Sequence, residues 1–280
     1  MNMSLPKTIH FITGMPRSGS TLLCNILAQN PRFGVTATSG ILDMLLNTVA
    51  AWEKAESFKS APHETNQLKK KNTLGGMLRG YFDDDEHPVV FDKSRGWIAY
   101  RELAEQLLDR PVKMLVTVRD VRAVLSSFEK IWRKNRGIRP TAHELQHPVK
   151  FQYVEGRCSL LMQPDQVVGI AYKRIEDALL CHGRENLLFV PFNRLTKNPA
   201  AMMAEIYSFL GETPFQHDFN NVAQVTQEDD TLIGMNGLHD IRPKVEPVED
   251  DFNAVLGPIA AKWQGPFAWS AALKEQGLSD

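Results

Sequence analysis

The nine residues TGMPRSGST, 13–21, constrain this chain more than any other stretch. They follow a short β-branched and aromatic run, TIHFIT (8–13), and lead into TLLCNILAQN (21–30), which Asn30 and Pro31 end. A buried strand, a glycine-bearing loop and a helix start predict a phosphate-binding turn. The N–H groups of Ser18, Gly19, Ser20 and Thr21 would converge on an anion at the positive end of the helix. Gly14 and Gly19 have the G-x-x-x-x-G spacing of a Walker A loop, but Ser20 stands where that loop carries lysine. Thr21 keeps the hydroxyl, and Arg17 supplies a planar cation inside the loop instead. Taken alone, the loop fits a ligand-free turn, a kinase or another nucleotide hydrolase as well.

The order of the remaining elements decides the fold class. PVVFDKS (88–94), VKMLVTV (112–118) and ENLLFVPF (185–192) read as further buried strands. Between them lie helical patterns at 41–55, 97–110 and 121–132, and a last one at 198–211, with Asn198 as cap, Pro199 in the first turn and Gly211 as stop. The polar stretch 56–87, with KKK, Gly75-Gly76 and DDDE, reads as a loop carrying short helices. Alternating strands and helices predict an α/β, three-layer P-loop fold: a central parallel sheet of about five strands flanked by helices. At 280 residues and 43% hydrophobic, the chain can bury such a core as one domain, 1–280. Its core would run over about 8–212, with a C-terminal capping segment at about 213–280 and a helix near FNAVLGPIAAKW.

A net charge of −1 gives no argument for nucleic acid or an anionic membrane as partner. Locally the balance differs: nine Lys/Arg between Arg110 and Arg139 face only Asp120 and Glu129, a surplus of +7. Such a stretch is either a solvated face or an attraction for an anionic donor or acidic acceptor. Cys24, Cys158 and Cys181 form no C-x-x-C pair and read as buried or inert thiols. No 18-residue apolar run occurs, and MNMSLPKTIHFIT leaves no room for a signal peptide, so a soluble cytoplasmic protein is expected.

VTVRDVRAVLSSF (116–128) holds a second anion candidate. Arg119 falls at the carboxyl end of a strand, where open α/β sheets bind ligands. Ser127 comes eight residues later, about two helical turns on, so both could face the crevice. A lone arginine there could equally be a surface ion pair. Beside the glycine loop, however, it suggests a nucleotide with phosphates at both ends of its ribose.

These residues resemble the PAPS-dependent sulfotransferases (PAPS is 3′-phosphoadenosine 5′-phosphosulfate). GMPRSGSTLL resembles the family's 5′-phosphosulfate loop, and VRDVRAVLSS its 3′-phosphate motif, an Arg with a Ser eight residues later. LLFVPFNRLTKNPAAMMAEIYSFLG is similar to the strand and helix found later in many members. The arginine in the loop is nearer the bacterial and protein-tyrosine branch. The resemblance covers roughly 8–212 and implies transfer of a sulfuryl group from PAPS to a hydroxyl or amine, leaving PAP. It implies that Ser18, Gly19, Ser20 and Thr21 hold the 5′-phosphosulfate, Arg119 and Ser127 the 3′-phosphate, and Arg17 the charge of the transition state. This donor needs no Mg²⁺, in keeping with the absent Walker lysine.

Two family features are missing. The glutamate that comes after the first helix in protein-tyrosine enzymes falls here in GVTATSG, at Ala37, Thr38 and Ser39. The histidine two residues after a lysine in cytosolic enzymes falls at Arg95, in DKSRG, which keeps Lys93. Lys93 is therefore the candidate transition-state cation or weak base, with Asp43, Asp92 and the histidines behind it. HELQH (143–147) fits a zinc-protease pattern but lies between Pro140 and Pro148 without a long helix, so no metal is expected. GLHDIRPKVEPV (237–248) resembles a late loop that closes over the nucleotide, with Lys244 as its contact. The acceptor would be a small molecule or peptide; the rival readings are a small-molecule kinase and a non-catalytic PAP-binding module.

Overall fold

The computed structural model describes residues 7–138 and 140–278; Arg139 and the termini lie outside the described residues. Its centre is a parallel sheet of β1 (Thr8–Gly14), β2 (Phe33–Val35), β3 (Val89–Lys93), β4 (Met114–Val118) and β5 (Leu187–Pro191), in the order β2-β3-β1-β4-β5. Ile12 pairs with Lys93 and Gly14 with Thr117, so the carboxyl ends of β3, β1 and β4 lie side by side. Strand β2 is three residues long, too short to show a period in the sequence.

Both faces of the sheet are buried, as parallel sheets require. Ile9 and Phe11 of β1, Met114 and Val116 of β4 and Phe189 of β5 join one core. Ile12, Leu115 and Val190, one residue out of phase, join the other. Each fully buried side chain of this kind contributes roughly 1.5–3 kcal/mol. Helix α1 (Ser20–Leu27) covers the second face with Leu23 and Ile26. The first face takes α2 (Ile41–Lys54), α3 (His63–Gly80), α4 (Arg101–Leu108), α5 (Val121–Asn135), α6 (Val154–Leu161) and α7 (Val167–Ala178), several through residues in its core. On the second face α8 (Pro199–Leu210) starts where Asn198 accepts from the Ala201 N–H and ends at Gly211, with φ 75°.

Helix α3 corrects the expected loop at 56–87: eighteen residues are helical despite both glycines. Leu74 and Leu78, one turn apart, bury a stripe that outweighs the low propensity around them. The tail is part of the same body. Leu256, Ala260 and Trp269 enter the first core, and Val222 and Leu278 the second. Among the described residues no helix is long and apolar enough to cross a membrane.

Candidate active site

The turn after β1 is built by close approach. A Cβ on Gly14 would stand 2.1 Å from the Thr117 carbonyl, which accepts the Met15 N–H at 2.8 Å, and its φ is +124°. Gly19, at φ +88°, would push a Cβ to 2.7 Å from Phe192 Cδ2. Arg17 holds a left-handed φ of 56° without being glycine, a conformation that costs roughly 1–3 kcal/mol and clusters at functional sites. Two contacts fix it: Arg17 Nε donates to Ser127 Oγ at 3.0 Å, and its carbonyl accepts from Arg119 Nη1 at 3.3 Å. Helix α1 then begins with no capping side chain and no acid in its first turn, so its N–H groups are open to an anion.

The Ser18 side chain is tied into the loop itself. Its hydroxyl is buried, 2.5 Å from the Met15 carbonyl and 2.7 Å from Thr117 Oγ1, which leaves only its backbone N–H for a ligand. Ser127, expected beside Arg119 at the 3′-phosphate, accepts from Arg17 in the structure. A left-handed arginine turns its side chain across to α5, which residue spacing could not show.

Lys93, at the end of β3, is buried, with Nζ 2.9 Å from Glu228 Oε1 and 3.4 Å from Thr21 Oγ1. Arg119, just beyond β4, lies 4.1 Å over the Phe192 ring, with Nη2 2.6 Å from Asp250 Oδ1. Its Nε is buried without a hydrogen-bond partner. Asp92 is removed as a base: it is fully buried under Trp97 Nε1 at 2.5 Å. Burial raises its pKa, against hydrogen bonds with Ser39, Trp97 and Thr36. Asp43 faces the cavity wall, and Lys244 sits exposed on the rim, with Nζ 3.3 Å from Glu246 Oε2.

The tail supplies what the motifs lack. Asn25 of α1 is buried; its Oδ1 accepts the Val225 N–H at 2.6 Å, and its Nδ2 donates to Thr226 Oγ1 at 2.8 Å. That anchor sets Glu228, two residues on, against Lys93. Thr38, in the stretch where the resemblance would put a glutamate, donates to Glu228 at 3.0 Å. His239 Nε2 stands 3.2 Å from Glu228 Oε2, and Nδ1 2.6 Å from Asp230 Oδ1. Burial pushes the Glu228 carboxyl up, but Lys93, His239 and Thr38 together hold it below the usual range.

One cavity of about 1070 Å³ joins these parts. Its lining includes Met15, Pro16, Arg17 and Gly19 to Leu22 of the loop with Lys93 and Phe192, and the apolar side chains of Leu42, Leu46, Phe128 and Leu161. Glu228 and His239 line it as well. The volume exceeds that of most single-ligand pockets and suits two ligands side by side.

The family model described as the sulfotransferase family matches residues 10–217 of this chain. The chain belongs to the sulfotransferase family. This sulfotransferase-family chain is 22% identical over 251 residues to Protein-tyrosine sulfotransferase A of Caenorhabditis elegans, covering 86% of itself and 59% of that relative. It thus spans less than two thirds of the length of that curated relative. Among solved structures it is similar in fold to the sulfotransferase domain of the Synechococcus PCC 7002 olefin synthase, with a TM-score of 0.53 and 18% identity, covering 100% of this chain and 98% of that one. It is similar too to a sulfotransferase of Mycobacterium avium, with a TM-score of 0.51 and 14% identity, covering 97% of this chain and 77% of that one.

Other sequence features of this chain resolve as structure. HELQH forms a five-residue helix, Ala142–Gln146, whose Glu144 accepts from Trp132 Nε1. Among the described residues no group of three or more His, Cys, Asp or Glu could hold a metal ion. The basic stretch is largely paired: Arg122 with Asp120, Lys130 with Asp251, Arg133 with Glu129, and Arg110 and Lys113 on backbone carbonyls. Cys24 and Cys158 are buried, which pushes their thiols up to about 11 and about 12, while Cys181 is exposed.

Glu228, Asp230 and Asp250 were not legible as site residues, and His239 stood only as one of the eight candidate histidines and inside the 237–248 loop. They lie in an acid-rich tail with no spacing rule to single them out, and only contacts across 131 residues or more bring Glu228 to Lys93 and Asp250 to Arg119.

Proposed function

We propose that this chain moves a sulfuryl group from PAPS to a hydroxyl or amine of a small-molecule or peptide acceptor, releasing PAP, with residues 1–280 acting as one unit. The reading is carried by anion-seeking groups at three neighbouring strand ends: the uncapped start of α1 with Arg17 after β1, Lys93 on β3, and Arg119 after β4. The orphaned, buried Arg119 Nε fits a phosphate oxygen, since buried donors without partners are rare in native proteins. When bound, PAPS supplies an activated sulfuryl group with PAP as its leaving portion.

The chain's own part is electrostatic. The N–H groups of Gly19, Ser20 and Thr21, with that of Ser18, hold the 5′ end of the donor. Arg17 is pushed down to about 10, first by burial and then by Arg119, with Asp230 and Asp240 opposing, so it stays a cation at neutral pH. Lys93, between Thr21 and Glu228, neutralises charge that builds as the sulfuryl group leaves. Lys244 closes the rim.

His239 and Glu228 together take the acceptor proton. Asp230 holds the imidazole through Nδ1, which points Nε2 toward Glu228 and the cavity. This tail pair fills the role that Arg95 and Thr38 cannot.

Release of PAP from PAPS is the test, run with phenols, alcohols, amines and tyrosine peptides as acceptors. PAP should raise the melting temperature where ATP with Mg²⁺ does not. Stabilisation by ATP and Mg²⁺ alone would favour the kinase reading.

A further inference from the structure

The cavity lining contains two charges that the donor does not use. Arg95 lies two residues after Lys93, just beyond β3, and Arg174 lies on α7; both line the cavity. Val167 and Arg174 are seven residues apart on that helix and share the face that lines the cavity. Neither guanidinium has an ion pair or a side-chain hydrogen bond among the described residues. Arg157, which lines the same cavity, differs: Glu129 binds it at 2.7 Å, and it stacks on Trp132 at 3.8 Å. Asp43 faces the same space and closes on neither arginine.

The accessible surface of Arg95 opens on the cavity, between Ser94, Gly96 and Tyr100. Helix α7 packs against residues 97–100, just after Arg95, and this sets the two arginines on adjoining walls of the cavity. Burial lowers the Arg95 pKa, Glu228 pulls it back up, and Arg174 lowers it again. Two like charges beside apolar walls are unfavourable without an anion between or near them. A guanidinium cannot exchange a proton near neutral pH. At the position where the resemblance has a basic histidine, Arg95 can therefore only recognise negative charge.

We propose that Arg95 and Arg174 form an anion subsite for the acceptor, so that this enzyme sulfates a hydroxyl-bearing molecule that also carries a carboxylate or similar anion on an apolar body. The proposal rests on the sulfuryl-transfer reading above. The two guanidiniums hold the acceptor's anion and aim its hydroxyl at the pair of His239 and Glu228, beside Lys93. A bond forms from the acceptor oxygen to sulfur, and the bond from sulfur to the bridging oxygen breaks. The electron pair leaves with PAP, and the acceptor proton goes to the pair of His239 and Glu228. Leu42, Leu46 and Leu161 pack the apolar body.

Binding to PAP-loaded protein tests this directly. The probes are 3-hydroxydodecanoate and 4-hydroxyphenylacetate, each against its neutral primary amide. The acids should bind roughly ten- to hundredfold tighter than the amides. Arg95→Gln and Arg174→Gln should each erase most of that preference, Arg174→Lys should retain part of it, and PAP binding should stay within about twofold in all three. Equal binding of acid and amide in both pairs, or a preference that survives both glutamine variants, overturns the subsite. Failure of the wild-type protein to bind PAP would overturn the donor reading itself, a separate result seen before any acceptor is added.

Discussion

Arg119 Nη2 and Asp250 Oδ1 lie 2.6 Å apart, and both side chains are mostly buried. The carboxylate thus covers one edge of the guanidinium proposed to hold the donor's 3′-phosphate, while Nε beside it is left without a partner. Phosphate binding must displace Asp250 or crowd it. Asp250→Asn is therefore expected to tighten PAP binding several-fold. Arg119→Ala should weaken it by about 2–5 kcal/mol, part of which reflects an unpaired Asp250. Calorimetric titration of both variants with PAP checks the pair, and an unchanged affinity in Arg119→Ala would contradict the 3′-site.

Arg17 reaches Ser127 from a left-handed backbone, so its guanidinium is aimed rather than mobile. Arg17→Ala should lower turnover by about 10²–10³, as loss of a transition-state donor does, with a smaller loss of PAP affinity. Ser127→Ala leaves the charge and removes one hydrogen bond, for roughly 1 kcal/mol and a five- to tenfold fall in turnover. A loss confined to affinity in Arg17→Ala would make it a binding residue only.

Asn25 is the hinge pin between α1 and the tail. It is buried, donates to the Thr21 carbonyl and Thr226 Oγ1, and accepts from the N–H groups of Val225 and Thr226. Asn25→Ala should cost roughly 1–3 kcal/mol in unfolding free energy, because it strands buried partners. It should also cut turnover more than PAP binding, since Glu228 is placed by that anchor. Chemical denaturation and initial rates measure the two effects, and full turnover would detach the tail from the chemistry.

Acid should destabilise the fold in two stages. Burial lowers the pKa of His10, against its hydrogen bond with Glu212, and lowers that of His217. Both are neutral in the folded chain, so the unfolded chain binds more protons once pH drops below their ordinary 6.5. Their contribution is complete above that value and is lost as pH falls through the lowered folded values. Glu129, Glu212 and Glu228 are carboxylates held below their ordinary 4.5 by Arg157 and Arg133, by His10, and by Lys93; their contribution is lost below it. Melting temperature should be level above about pH 7 and fall from pH 6.5 downward, more steeply below 4.5. A level melting temperature down to pH 5 would contradict the histidine stage, and His217→Gln should flatten it.

Much of the fold was legible because alternation in β1, β4 and β5 sets two cores one residue out of phase, and a parallel sheet leaves little else to do with such runs. Strand β2 has three residues and no period, and α3 hides its buried stripe among lysines and glycines. The site divides the same way. Arg17, Thr21 and Arg119 are adjacent to strand ends, so local order places them. Spacing puts Ser127 on the helix after β4 but does not show its contact with Arg17, which the backbone sign at Arg17 decides. Glu228, Asp230 and His239 reach the cavity through long-range packing of the tail on Asn25, which no local pattern encodes.

The glycine loop and Arg119 together are expected to clamp the two ends of one doubly phosphorylated adenosine. Titration with PAP and with AMP, which lacks only the 3′-phosphate, tests this most directly. PAP should bind at least about 30-fold tighter than AMP, the equivalent of about 2 kcal/mol, and Arg119→Ala should remove most of the difference. Equal affinity for PAP and AMP, or a difference untouched by Arg119→Ala, would contradict it.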